Sequence, residues 1–253
     1  MPDVLGQQVA RHSPAVQDWA GYTNEEHRVW ATLYGRRMPA LQHTASRIFL
    51  RGAAAIGLES ECIPDLSQLN RRLAQRTGWR AVPVGGFLPA GAFFDCLSRR
   101  EFPTTVTIRA ADRLDYVPEP DIFHDVFGHV PLHADPVFAD FLQRFGAVAA
   151  RSTDPELTQR MARLFWFTVE FGLILERDGV RAYGSGLISS QADAANALGP
   201  HCEHRPFRLD AVLEQPFRID DLQPVLFVAE SFQQLFEAVA EVESRIAVSA
   251  NGG

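Results

Sequence analysis

The chain has 253 residues, 46% hydrophobic and 22% charged, with a net charge of −7. That length suffices for one large core, and the acidic balance, with basic residues only in scattered pairs such as Arg36–Arg37 and Arg71–Arg72, argues against nucleic acid as a partner. Three widely spaced cysteines suggest neither a thiolate zinc site nor a disulfide framework, and no apolar run reaches the ~20 residues of a membrane helix.

In chain order, residues 1–24 are polar, lack the apolar core of a signal peptide and are expected to be partly mobile, leaving 25–253 as one domain. Thr23 and Glu26 form a capping-box pattern that starts a helix through "NEEHRVWATLYGRRM". "PDLSQLNRRLAQRTG" reads as a helix stopped at Gly78. "WRAVPVGGFLPAG" is punctuated by glycine and proline and reads as a loop with one strand. "AFFDCLSRREF" is helical, and "PTTVTIRA" is strand-like. Asp135 and Pro136 provide an N-cap and a first helical residue. From Pro155 to about Asp178, Leu157, Met161, Leu164, Thr168, Phe171 and Leu175 recur at helical spacing. Trp166 and Glu170, four apart, are expected on a neighbouring face. "FRID" and "VLFVAES" read as short strands, and "SFQQLFEAVAEVESRIAV" as an amphipathic helix. The expected fold is mainly α with a few short β-strands.

Two stretches carry chemistry. "LFWFTVEFGLIL", residues 164–175, places Glu170 in an apolar run, where an unpaired carboxylate is costly. "PEPDIFHDVFGHVP", residues 118–131, holds His124 and His129 five apart. On an ideal α-helix residues five apart diverge by roughly 140°. The two imidazoles therefore meet at one metal only if the helix ends between them, and Gly128 is the residue that permits such an ending. Two histidines and one carboxylate form the facial triad of non-haem Fe(II) oxygenases, with Glu170 as third ligand. Spacing alone leaves a plainer alternative open: surface histidines, with Glu170 facing solvent or Arg163.

The motifs "EPDIFHDVFGHVPL", "ARLFWFTVEFGL", "AYGSGLISS" and "FVAESF", with looser matches in "FPTTVTIR" and "VGGFLPAGAFFDCL", resemble the catalytic domain of the pterin-dependent aromatic amino acid hydroxylases, in order and spacing, from about residue 25 to about 240. The resemblance implies that family's catalytic fold, with Fe(II) held by His124, His129 and Glu170. It implies a tetrahydropterin stacked on Phe93, contacted through Asp125 and flanked by Gly86, Leu88 and Phe165. Arg109 matches the arginine that binds the substrate carboxylate. Ser189 matches a serine near the substrate's amino-acid end, Trp166 the aromatic beside its ring, and Val117, Pro118 and Pro120 the loop that frames the pocket. Read alone, Phe93 and Trp166 would be core, Asp125 and Arg109 surface charges, and Ser189 a turn residue. Two positions depart from the family's pattern: Val117 stands where animal members carry Thr or Ser, and Phe165 where Tyr is frequent.

Trp166 and Ile219, the latter at a position that is acidic in tyrosine hydroxylases, imply L-phenylalanine as substrate and 4-hydroxylation to L-tyrosine with O2. Tryptophan or another ring position is the alternative. A zinc hydrolase built on the same three ligands, or a binding protein that keeps the pocket without the chemistry, are the rivals from other classes. The resemblance is to the short bacterial form, without a regulatory domain or tetramerisation helix. A cytoplasmic monomer with no membrane or nucleic-acid partner is expected.

Overall fold

The computed structural model describes residues 15–86, 88–115, 119–152 and 154–251. Helix α1 (Asn24–Thr44) starts on the capping box: the Thr23 hydroxyl accepts from the Glu26 N–H, and the Glu26 carboxylate accepts from the Thr23 N–H at 2.7 Å. Of the N-terminal segment, residues 15–22 are tied to the chain ahead of α3. Gln17 donates to the Pro64 carbonyl and accepts from the Leu66 N–H, while the Trp19 indole donates to the Ile63 carbonyl.

Helices α2 (Arg47–Ile56) and α3 (Leu66–Arg76) follow, then strand β1 (Arg80–Val84), α4 (Ala90–Ser98) and β2 (Glu101–Thr105). β1 and β2 pair in parallel, from Arg80 opposite Glu101 to Val84 opposite Thr105. The strand expected in "PTTVTIRA" thus starts two residues earlier and stops at Thr105. Beyond that point Ile122 N–H donates to the Thr107 carbonyl, so the chain turns toward the next segment instead of extending the ladder.

Helix α5 (Pro136–Ala150) carries the cap expected at Asp135, whose carboxylate accepts from the Val137 and Phe138 N–H groups. It is the central helix: Phe138, Phe141, Leu142 and Phe145 are all fully buried. On either side of it lie α4 and the long C-terminal helix α10 (Phe232–Asn251).

Helix α6 (Pro155–Phe165) ends ten residues before the apolar periodicity does. The chain passes through a π-helical segment, Trp166–Glu170, into strand β3 (Leu173–Glu176). β3 pairs antiparallel with β4 (Gly179–Ala182) and parallel with β6 (Val225–Ala229), which pairs in parallel with β5 (Glu203–Pro206). Leu175, placed by spacing on the helix, therefore sits on a strand and is 54% exposed. A run of mixed apolar residues is compatible with either period, and sheet pairing decided between them. "FRID" forms a turn, not a strand. Three short helices complete the order: α7 (Ser185–Ser189), α8 (Gln191–Ala197) and α9 (Leu209–Glu214). Among the described residues no helix is long and apolar enough to cross a membrane.

Candidate active site: a two-histidine, one-carboxylate centre

His124 and His129 lie on one π-helical segment, Phe123–His129, that runs directly into a 3-10 turn, Val130–Ala134. The helix does not end at Gly128, as the spacing argument required. It widens: hydrogen bonds from residue i to i+5 bring residues five apart above one another, where an α-helix would splay them. The two Nε2 atoms stand 3.2 Å apart. Gly128 has an ordinary negative φ, and its role is close approach: a Cβ there would lie 3.0 Å from the Ser185 carbonyl oxygen.

The same device places the carboxylate. Phe171 N–H donates to the Trp166 carbonyl, five residues back, at 2.8 Å. Trp166 packs against Phe171 with ring centroids 4.6 Å apart and planes tilted by 32°, and stacks on Phe217 at 4.5 Å. Trp166 and Glu170, expected on a neighbouring face, thus find different partners. Glu170 instead turns to the histidines: Oε1 is 3.2 Å from His129 Nε2, and Oε2 is 3.6 Å from His124 Nε2. Arg163, the alternative partner for Glu170, donates to the Leu213 carbonyl and to Gln159.

The three ligand atoms lie within 4.8 Å of one another. Burial pushes the Glu170 carboxyl up, but the His129 charge and hydrogen bond, His124 and the Ser185 hydroxyl outweigh it and hold it at about 2. The carboxylate is thus ionised and faces two imidazole nitrogens, a donor set that fits a divalent cation. The tautomer of His124 follows from its second nitrogen. Ser189 Oγ donates to the Ser185 carbonyl at 2.8 Å, which commits its only proton. It must then accept from His124 Nδ1–H, 2.9 Å away, leaving the Nε2 lone pair for the metal. Ser189 thus orients the His124 ring.

Arg109 is nearly buried, and its fork is already engaged. Nε and Nη2 donate to the two oxygens of Asp121 at 2.8 Å each, and Nη1 donates to the Leu114 carbonyl. Asp121 also accepts from the Arg109 and His124 N–H groups. The sequence reading missed Asp121. It joins the arginine to the backbone of His124, and the aspartate three residues before a histidine, at a helix-start position, was the available signal.

Phe93, on α4, is half-buried, which leaves part of its ring open to a planar partner; edge-on contacts join it to Phe94, Phe102 and Phe165. Phe102 in turn lies 4.6 Å from the His129 ring, so the aromatic platform reaches the metal centre. Gly86 takes a positive φ of 145° in the exposed loop after β1, and Leu88 follows it half-buried. Asp125 is buried and accepts from the Thr105 N–H and hydroxyl at 2.7 and 2.8 Å. Burial pushes its carboxyl up, against the pull of His124, His129 and Thr105. Pro120 is exposed at the mouth of the segment, and Val117 and Pro118 lie outside the described residues. Ile219 is 57% exposed on the turn before β6, where it buries no ring-pocket surface. Phe217, two residues earlier and not singled out by the sequence reading, stacks on Trp166 at 4.5 Å.

Residues 9–249 match the family described as biopterin-dependent aromatic amino acid hydroxylase. The phenylalanine-4-hydroxylase of Caulobacter vibrioides is 45% identical over 222 residues, 87% of this chain and 76% of that protein. Phenylalanine hydroxylase from Chromobacterium violaceum, solved with iron(III) and oxidised 7,8-dihydrobiopterin, superposes with a TM-score of 0.87 at 39% identity, over 93% of this chain and 86% of that one. The same enzyme solved with iron and phenylalanine gives 0.83 at 38% identity, over 90% and 82%. With the matched region spanning nearly the whole sequence, the chain belongs to the biopterin-dependent aromatic amino acid hydroxylase family.

Proposed function

We propose that this chain hydroxylates the ring of L-phenylalanine to give L-tyrosine, using Fe(II), a tetrahydropterin and O2. The observation that carries the reading is the convergence of His124, His129 and Glu170 within 4.8 Å beside an aromatic platform. When bound, iron and the tetrahydropterin activate O2, so that one oxygen atom enters the ring and the other goes to the pterin. The protein's residues bind and orient. His124 and His129 would hold the metal through Nε2 and Glu170 through its carboxylate.

A guanidinium has five N–H donors. Asp121 takes two from Arg109 and Leu114 one, which leaves two for the substrate carboxylate. Asp121 thereby fixes the plane of the fork as well as the backbone of His124. Trp166, held between Phe171 and Phe217, would form a wall of the ring pocket. Phe93 would stack on the pterin, with Gly86 and Leu88 in the loop beside it, Phe165 packed edge-on against the platform, and Asp125 anchored by Thr105. Val117, Pro118 and Pro120 would close the pocket. We further infer a cytoplasmic monomer, consistent with three cysteines that form no disulfide.

The test is an aerobic assay with Fe(II), a tetrahydropterin and each aromatic amino acid, with products identified by mass and retention. Tyrosine from phenylalanine, dependent on iron and O2, is expected. A predominance of 3-hydroxyphenylalanine or 5-hydroxytryptophan would move the ring position or the substrate. Two histidines and a glutamate also serve zinc hydrolases; O2-independent hydrolysis by zinc-loaded protein would overturn the oxygenase reading.

A further inference from the structure

Helix α7 is five residues long, yet it touches both ligand-bearing segments. Its first residue, Ser185, is 1% exposed and donates from Oγ to Glu170 Oε2 at 2.6 Å. Its last residue, Ser189, engages His124 as described above. We propose that Ser185 is a positioning residue of the iron centre: its hydroxyl fixes the rotation of the Glu170 carboxylate and so sets how that group meets the metal. The proposal rests on the iron reading of the site.

Three observations support it. First, the hydrogen bond is between a neutral donor and an ionised acceptor in a site shielded from water, the stronger kind of hydrogen bond. Second, the backbones around Ser185 approach one another closely. A Cβ at Gly184 would lie 2.4 Å from the Glu170 carbonyl oxygen, and one at Gly186 would lie 3.1 Å from the same atom. On the opposite side, Gly128 approaches within 3.1 Å of the Ser185 Cβ, measured from where its own Cβ would stand. Gly128, Gly184 and Gly186 thus let the segments that carry His124, Ser185 and Glu170 pack closely together. Third, α7 is fixed from behind. Arg37 of α1, itself buried, donates from Nε to the Ile188 carbonyl and from Nη2 to the Leu187 carbonyl, satisfying carbonyls at the helix C-terminus. Gly184 N–H and Tyr183 N–H both donate to the Gly172 carbonyl. The hydroxyl is therefore held at both ends of its helix and aimed at one carboxylate oxygen. The other oxygen, Oε1, is the one nearer His129. Partners of this kind, which orient a ligand without touching the metal, typically alter metal affinity by ~10–100-fold when removed.

The experiment compares wild type with Ser185→Ala, which keeps the Cβ packed against Gly128 and removes only the hydroxyl. Fe(II) dissociation constants are measured by chelator competition, and the Co(II)-loaded forms are compared by electronic absorption. Melting of the metal-free proteins reports the fold. The expected result is at least tenfold weaker Fe(II) binding and an altered Co(II) spectrum, with the metal-free melting temperature little changed. Equal dissociation constants and identical Co(II) spectra would overturn the proposal. Failure of the wild type to bind Fe(II) at all would instead overturn the iron reading on which it rests.

Discussion

His129 and His133 sit four residues apart, and both lie against Phe102, with ring centroids 4.6 and 5.0 Å from it. Both are buried, but their nitrogens are treated oppositely. His129 directs Nε2 at Glu170 and His124. His133 lies over Trp79 at 4.6 Å, and neither of its ring nitrogens has a hydrogen-bond partner among the described residues. Phe102 thus borders both a polar cluster whose groups answer one another and an aromatic cage that holds an unanswered imidazole. A buried polar group without a partner costs roughly 1–3 kcal/mol. The first region should be sensitive in function, the second in stability, and each can be perturbed without the other.

The largest effect is expected at the centre itself. Glu170→Gln keeps the shape and removes the charge that balances the cation, so iron affinity should fall by more than ~100-fold, or about 2.7 kcal/mol. Metal analysis at limiting iron checks this, and unchanged iron content would remove Glu170 from the ligand set. Next is Arg109→Lys. An ammonium cannot reproduce the planar fork that satisfies Asp121 and leaves two N–H groups over. The KM for phenylalanine should rise by roughly 10- to 100-fold, or about 1.4–2.7 kcal/mol, with the pterin KM little changed. A shift in the pterin KM instead would misplace the residue.

Trp166→Phe should act more mildly. It shortens one ring in the stack with Phe171 and Phe217. A few carbon atoms of pocket volume are typically worth ~1–3 kcal/mol, so selectivity should move toward tryptophan by about tenfold. Competition between phenylalanine and tryptophan at equal concentration reads this directly. An unaltered ratio would remove Trp166 from the pocket wall and leave the metal centre as it stands.

The smallest effect lies across Phe102. His133→Leu should raise stability by about 1 kcal/mol at neutral pH, because an unpartnered polar ring is exchanged for an apolar side chain of similar size. Burial first, and the neighbouring His129 charge second, push the His133 imidazole well below its ordinary value. The sign follows from proton binding. The unfolded chain takes up a proton near pH 6.5 while the folded chain does not, so stability falls as pH drops below that value. The slope from this one group approaches ~1.4 kcal/mol per pH unit. Denaturant melts of the metal-free protein between pH 7 and 5.5 should show a shallower decline for the variant. An equal decline in both proteins would remove His133 as a source of acid sensitivity.

The sequence by itself determined the family and singled out the candidate ligands. An unpaired acid inside "LFWFTVEFGLIL" is costly, and the ordered motifs that carry Glu170, His124 and His129 resemble one family. It also determined the starts of α1 and α5, because caps are local: the partners in each lie within three residues of one another. Only the tertiary structure decided how the ligands meet. The α-period that predicts divergence at five residues is replaced by π-turns in both ligand segments, where close packing against α7 is available to repay the poorer local geometry. Leu175 was misplaced for a related reason: strand pairing depends on residues distant in sequence. Phe217 and Ser185 were passed over because their partners lie 51 and 15 positions away along the chain, and the link from Asp121 to Arg109 spans 12. Local propensity and periodicity are written in neighbouring residues. Hydrogen bonds between segments exist only once the core has brought the segments together.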